Sequence, residues 1–383
     1  MLMRHRRIDD DPQSAYFFCS EGSFIAWDGT RWADAPREFG IDLNRNFPAH
    51  WAPFRMFGMD GGAFPLSEPE SRSVVDAVHQ RSNIAVALSN HTYTGCILTQ
   101  PYRKPSPLSE GDIRLFESLA EGAVEGTDYR VIRIHPDFVY DEDKPVVGVW
   151  SDTLCTTFGI PGYTLELWNP YRHCGVEIEK PAEFFRKPDP DIVRALVQTF
   201  SADADAMTPW APFDHPQLGE IEVGGLDYMR TVRNPPVAEL AVECGRGAIV
   251  AGRLLRSTPL LNVQLEPSPS GDVIVLTAVV ENLGFLPTAS SAHAEAGELV
   301  PPIRLSIDLD DGIECIEGLQ TQILGHLDGW GALKVGPSAH GIYPGLGARG
   351  VRTHARWVLR GEGSARVQWV APRAGSGVRE IKL

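Results

Sequence analysis

Residues 67–95 read SEPESRSVVDAVHQRSNIAVALSNHTYTG, and the order of patterns within them decides the fold class. Ser67-Glu68-Pro69-Glu70 has the form of a capping box, with a Ser N-cap, an early-turn Pro and a Glu three residues on. The helix it predicts carries Val74, Val75 and Val78 on one face and ends before Asn83. Ile84-Ala85-Val86-Ala87-Leu88 is a short continuous apolar run, which predicts a buried strand. Helix followed directly by buried strand is the repeating step of an α/β sheet. Polar Ser89-Asn90-His91 then follows the strand, and ligands of open α/β sheets collect outside the carboxyl ends of the strands.

The same alternation extends outward. Residues 113–125 predict a helix with Leu115, Phe116 and Leu119 on one stripe, and residues 130–134 a short strand. Residues 151–158 read as helix, 159–162 as a turn and 163–167 as a second buried strand. Residues 191–200 and 238–255 predict further helices, while turn residues leave 210–225 without an assignment. Beyond residue 261 the pattern turns to strands, at 262–266, 273–281, 303–309, 355–359 and 365–370. The last two are expected to form a hairpin through Arg360-Gly361-Glu362-Gly363-Ser364. Val367 and Trp369 alternate with Arg366 and Gln368, so one face is buried and the other wet. The expected organisation is an α/β region over residues 1–257 and a β-sandwich over 258–383.

Composition narrows the class of molecule. The chain has 383 residues, 43% of them hydrophobic and 22% charged, the balance of a soluble globular protein. No apolar run approaches the ~20 residues of a membrane span. Acidic residues outnumber basic ones 50 to 35, a net charge of −15, which disfavours nucleic acid as a partner. Met1-Leu2-Met3-Arg4-His5-Arg6-Arg7 is basic but no apolar stretch follows, so it does not read as a secretory signal. Cys19, Cys96, Cys155, Cys174, Cys244 and Cys315 lie far apart without a C-x-x-C pair, predicting reduced, mostly buried thiols and no Cys-ligated zinc.

Chemistry concentrates in three places. Asp42, Asn44, Arg45 and Asn46 fall within five residues, flanked by Ile41, Leu43 and Phe47. An Arg fork beside an amide donor suits a substrate carboxylate, although an ordinary polar turn has the same composition. His91 sits where a metal ligand or base is expected, or is a hydrogen-bonded structural histidine. Glu166 interrupts an apolar strand, where a carboxylate is paired with an Arg, metal-linked or catalytic. Desolvation there raises its pKa toward that of a working general base.

Together these segments resemble the zinc metallocarboxypeptidase family. The Asn-Arg motif reads Asp42-Leu43-Asn44-Arg45-Asn46-Phe47-Pro48, and the helix start reads Ser67-Glu68-Pro69-Glu70. The zinc histidine motif matches His91-Thr92-Tyr93, and the catalytic glutamate strand matches Thr164-Leu165-Glu166-Leu167. Pro212-Phe213-Asp214-His215-Pro216-Gln217-Leu218-Gly219 and Val280-Glu281-Asn282-Leu283-Gly284 are similar to a bacterial subgroup with an appended β domain. The resemblance implies a mixed sheet flanked by helices and one Zn²⁺ held by two His and one Glu. It implies that His91 is a zinc ligand and that Asn44 and Arg45 grip the free C-terminal carboxylate of a peptide. It further implies that Glu166 takes a proton from the zinc-bound water and delivers it to the leaving amine. Tyr140 is a candidate for the family's mobile tyrosine, and Arg4, Arg6 or Arg7 for a carbonyl-polarising arginine.

One departure stands out. The family takes its first two zinc ligands from a His-x-x-Glu motif upstream of Asn-Arg, and none of the 11 histidines here has Glu three positions on. The expected α/β region is therefore incomplete at its N-terminus. Either the sequence begins inside a longer carboxypeptidase, or it is a family member that has lost its metal. The functional expectation is a carboxypeptidase cleaving C-terminal peptide bonds. Its alternatives are a metal-free pseudo-peptidase or binding protein, and an amidohydrolase of N-acyl amino acids.

Overall fold

A computed structural model of the chain describes residues 41–56, 59–139, 146–186, 189–203, 206–215, 219–227, 229–332 and 350–383. Cys19, Tyr140, Arg4, Arg6 and Arg7 lie outside the described residues. A 3-10 turn at Leu43–Arg45 leads to a ribbon of β1 (Arg55–Met56) and β2 (Met59–Asp60), then to α1 (Pro69–His79). There follow β3 (Ala87–Thr92), β4 (Cys96–Thr99), α2 (Glu110–Val124), β5 (Arg130–Arg133), α3 (Ile134–Asp137), α4 (Trp150–Phe158) and β6 (Gly162–Leu167). Next come α5 (Pro170–His173), α6 (Pro181–Arg186), α7 (Pro190–Phe200), the hairpin β7 (Met207–His215) and β8 (Gly219–Leu226), and α8 (Val237–Arg256). The segment left unassigned from sequence is thus that hairpin.

Four of the described α/β strands form one sheet in the order β3-β6-β4-β5, while β1-β2 and β7-β8 pair separately. β3 runs parallel to β6 and β4 parallel to β5, while β4 and β6 are antiparallel, so the sheet is mixed as expected. Alternation along the strands divides the core. Ile97, Tyr163 and Leu165 pack with Phe116 and Leu119 of α2 and Val250 and Leu254 of α8. Cys96 and Leu98 pack with Tyr102, Ile132, Phe138 and Val149. Both Cys96 and Cys155 are buried free thiols, whereas Cys244 and Cys315 are exposed.

Two local expectations are corrected. The capping box does not form: Glu68, not Ser67, is the N-cap of α1, and it makes no side-chain cap bond. Ser67 Oγ is already taken, accepting from Asn46 Nδ2 (2.9 Å) and donating to Glu68 Oε1 (2.7 Å). The strand expected at 84–88 lies instead at Ala87–Thr92, because sheet pairing begins where the Ala87 N–H donates to Pro161 O (2.9 Å). The apolar run is the approach to the strand, and His91 is inside it.

The C-terminal part contains β9 (Leu261–Ser270), β10 (Val273–Asn282), the short helix α9 (Ala292–Ala296), β11 (Ile303–Leu309), β12 (Ile313–Glu317) and β13 (Thr321–Gly325). It ends with β14 (Arg352–Gly361), β15 (Ser364–Ala371) and β16 (Gly375–Lys382). Two antiparallel four-stranded sheets, β12-β14-β10-β9 and β13-β11-β15-β16, enclose Val263, Leu276, Ala278, Trp357, Ile303, Leu305 and Val367 as a β-sandwich. Pro267 and Pro269 are tolerated because β9 is an edge strand. β14 and β15 are not a hairpin, since they pair into different sheets and 360–364 carries the chain between them. Gly361 makes that crossing at φ +111°, where a Cβ would meet Gly312 O at 2.0 Å.

Candidate functional site

The site is built where β3 and β6 run side by side. In their parallel register His91 pairs with Glu166, and in the antiparallel register of β4 with β6 Glu166 pairs with Cys96. Paired residues project from the same face, so His91, Glu166 and Cys96 form one row across the sheet. Glu166 is buried, 9% exposed, and forms no ion pair among the described residues. Burial pushes its carboxyl up to about 8, against the opposing pull of the Arg233 and Arg45 guanidiniums. Burial likewise pushes the His91 imidazole below its usual range; Asp42 opposes this and Arg45 adds to it. His91 Nε2 lies 3.2 Å from Ser89 Oγ. The same Arg45 acts electrostatically on both groups, so the Asn-Arg turn lies within electrostatic reach of the Glu166–His91 row.

The turn at Leu43–Arg45 is shaped by its own side chains. Asp42 Oδ1 accepts from the Asn44 N–H (2.9 Å), and Asp42 stands 4.0 Å from the Arg45 guanidinium. Asn44 Oδ1 accepts from the Trp150 N–H at the start of α4 (2.9 Å), which leaves Nδ2 as the available donor. The Arg45 guanidinium lies 5.0 Å over the Phe54 ring and gives Nη1 to Asn44 O (2.8 Å). Its Nε is buried without a hydrogen-bond partner. A buried guanidinium with an orphaned donor is costly unless an anion completes it, so Arg45 is equipped for a carboxylate.

Asn46 holds this turn in place, a role the sequence did not assign to it. Fully buried, it gives Nδ2 to Gly61 O (2.9 Å) and Phe64 O (3.1 Å), while Oδ1 accepts from Ser71 Oγ (2.8 Å) and the Glu68 N–H (3.2 Å). On the opposite side the Phe47 N–H donates to Gly148 O (3.0 Å) and the Gly148 N–H to Ala49 O (3.0 Å). Gly148 is at φ +64°, and a Cβ there would lie 2.3 Å from Arg45 O. His50 Nδ1 meets Asp152 Oδ2 at 2.8 Å, and Gln100 Nε2 donates to Asp152 Oδ1 (3.0 Å).

Arg233 was also not anticipated. It is the last residue of a short π-helical turn, Met229–Arg233, gives Nη1 to Thr92 O (3.4 Å) and lies 5.4 Å over the Tyr93 ring. Nothing in the sequence around Thr231-Val232-Arg233-Asn234 marks it, because contact with His91-Thr92-Tyr93 exists only in the fold.

As a zinc cradle the described residues do not fit. Catalytic zinc takes three protein ligands, and among the described residues no group of three His, Cys, Asp or Glu side chains is placed to hold a metal ion. His91 and Glu166 offer one imidazole and one carboxylate, so no step is derived through a metal. No helix among the described residues is long and apolar enough to cross a membrane.

Comparison with known proteins agrees with the first part of this layout. Residues 17–200 match the family model described as zinc carboxypeptidase, and residues 259–382 match a domain of unknown function, DUF8731. Carboxypeptidase O of Bos taurus is 35% identical over 104 residues, covering 24% of this chain. That match spans 28% of the bovine protein's length. Among solved structures, thrombin activatable fibrinolysis inhibitor aligns at 23% identity and TM-score 0.28 over 42% of this chain and 40% of its own. The bovine inhibitor in complex with tick carboxypeptidase inhibitor aligns at 24% identity and TM-score 0.28, over 42% and 54%.

Proposed function

We propose that the chain, whose residues 17–200 match the zinc carboxypeptidase family model, acts at the C-terminal peptide bond of peptides, with Asn44 and Arg45 receiving the terminal carboxylate. The observation that carries this reading is the buried Arg45 guanidinium, its Nε without a partner, within electrostatic reach of His91 and Glu166. Arg45 offers a planar fork and Asn44 Nδ2 a neutral donor, which together hold the two oxygens of a carboxylate in one orientation. Held there, the substrate presents its last amide toward Glu166. A carboxyl raised to about 8 exchanges a proton near neutral pH, which suits the transfer from attacking water to leaving amine. The family uses Zn²⁺; here His91 is the candidate ligand, and the described residues do not complete a site around it. The domain boundary belongs to the same proposal, with the peptidase-like part at 1–257 and the sandwich at 258–383.

The short donor set favours a second reading, a protein that binds terminal carboxylates without hydrolysis. Incubation with hippuryl-phenylalanine, its C-terminal amide and N-acetylphenylalanine, with zinc supplied and products read by mass spectrometry, separates the cases. Release of phenylalanine from the free peptide alone supports a carboxypeptidase. Turnover of N-acetylphenylalanine supports the amidohydrolase, and binding without turnover supports the second reading.

A further inference from the structure

The region matching a domain of unknown function is joined to the proposed carboxylate site through one helix. α4 has nine residues, so it is about 14 Å long. Its first turn carries the substrate loop: the Trp150 N–H holds Asn44 Oδ1 (2.9 Å), Asp152 holds His50 Nδ1 (2.8 Å), and Thr153 Oγ1 accepts from the Ala49 N–H (3.1 Å). Its last turn carries the carbonyls that every helix end leaves without an internal partner. Among the described residues, the side chains that reach those carbonyls belong to the C-terminal part. Arg373 gives Nη1 to Gly159 O (2.9 Å) and Nη2 to Phe158 O (2.7 Å). Ser291 Oγ donates to Gly159 O (3.0 Å), and His293 Nε2 stands 2.8 Å from Thr156 O.

The grip is close packed as well as hydrogen bonded. Gly159 approaches Ala294 so tightly that a Cβ would lie 2.4 Å from the alanine methyl. Asp112 of α2 accepts from the Ala292 and His293 N–H groups (2.8 and 2.9 Å), fixing the segment that bears Ser291 and His293. Arg373 is itself 7% exposed and also donates to Ala289 O (2.6 Å). Burying a guanidinium is expensive, and doing so against carbonyls alone indicates a site where a fixed geometry is maintained.

We infer that the C-terminal sandwich serves as a scaffold for the substrate site, with Arg373 acting as a positioning residue that fixes Asn44 and Arg45 through α4. The substrate half of this rests on the reading of Asn44 and Arg45 given above; the mechanical half does not. A helix held at one end transmits displacement to the other because its backbone is stiff and packed interiors do not deform continuously. Freeing the last turn lets α4 shift along β6, and the loop bonded to Trp150, Asp152 and Thr153 shifts with it.

The test uses the full chain, as wild type, Arg373→Ala, Arg373→Lys and the double variant Ser291→Ala/His293→Ala. Hydrogen–deuterium exchange is read at 43–50 and 150–158, with 261–270 as the reference. Calorimetry reads the affinity for N-acetylphenylalanine relative to its amide. Arg373→Ala is expected to speed exchange at 43–50 and cut the carboxylate preference, each by about tenfold, while 261–270 is unchanged. Arg373→Lys should fall between, because a single ammonium cannot span the carbonyls that the fork bridges. If Arg373→Ala does not fold, the double variant carries the same expectation at about threefold, having lost the weaker contacts. Wild-type exchange at 43–50 in folded variants would overturn the inference. A wild type without carboxylate preference would instead overturn the substrate reading, while the exchange result still decides whether the sandwich holds the loop.

Discussion

Glu166 combines an acidic side chain with a position inside an apolar strand, and its titration follows from that conflict. Its carboxyl is raised from 4.5 to about 8, first by burial and against the pull of Arg233 and Arg45. The folded chain therefore keeps a proton that the unfolded chain releases, and it binds more protons between those two values. Stability of the protein in EDTA is thus expected to fall as pH rises from about 4.5 toward about 8 and to level beyond. Melting temperatures at pH 5 and pH 8 check this, with Glu166→Gln expected to remove most of the fall. An equal fall in both proteins would place the titration elsewhere. Glu166 was legible because one charged residue broke an apolar strand, and Arg45 because it lay in a dense polar motif. Arg233 was not, since its approach to Thr92 joins segments far apart in the chain.

Asn46 and Gly148 set the Leu43–Arg45 turn, the proposed carboxylate site, from its two sides, and neither role follows from residue type alone. Asn46→Ala leaves Gly61 O, Phe64 O, Ser71 Oγ and the Glu68 N–H without their side-chain partner. A loss of about 2–4 kcal/mol in urea unfolding is expected, against less than ~1 kcal/mol for an exposed control such as Ser73→Ala. Gly148→Ala puts a methyl 2.3 Å from Arg45 O on a left-handed backbone, so the turn must move. It is expected to weaken binding of N-acetylphenylalanine by about tenfold or more, read by calorimetry, and unchanged affinity would refute that placement. The sequence suggested the capping box because Ser67 and Glu70 have the right spacing. Asn46, distant in sequence, claims the Ser67 hydroxyl instead. The strand at 84–88 was misplaced for a related reason: apolar content marks burial, while the strand limits follow the partner β6.

The whole molecule joins a mixed sheet to a sandwich whose core is independent of the proposed site. Trp357 is fully buried there and gives Nε1 to Leu319 O (2.8 Å). Trp357→Ala is expected to lower stability by about 3–5 kcal/mol in chemical denaturation, through the cavity it leaves; a change below ~1 kcal/mol would contradict that packing. Alternation made β10, β11, β14 and β15 legible as strands, but not which sheet each joins. The glycines at 361 and 363 signalled a turn, and hairpins are the commonest use of one; only the pairing registers reveal a crossing between sheets. β12 and β16 lacked the pattern because most of their residues are exposed, and β13 lacked it because none of its five residues is fully buried.

Arg45, Asn44 and the Glu166–His91 row are proposed to receive one carboxylate together. Calorimetric titration of the wild-type chain and Arg45→Ala with N-acetylphenylalanine and its amide tests this proposal most directly. Wild type is expected to prefer the free acid by about tenfold or more and Arg45→Ala to bind both alike, the loss expected of a charge-assisted hydrogen bond. Equal affinity of the wild type for acid and amide, or a preference that survives Arg45→Ala, would contradict it.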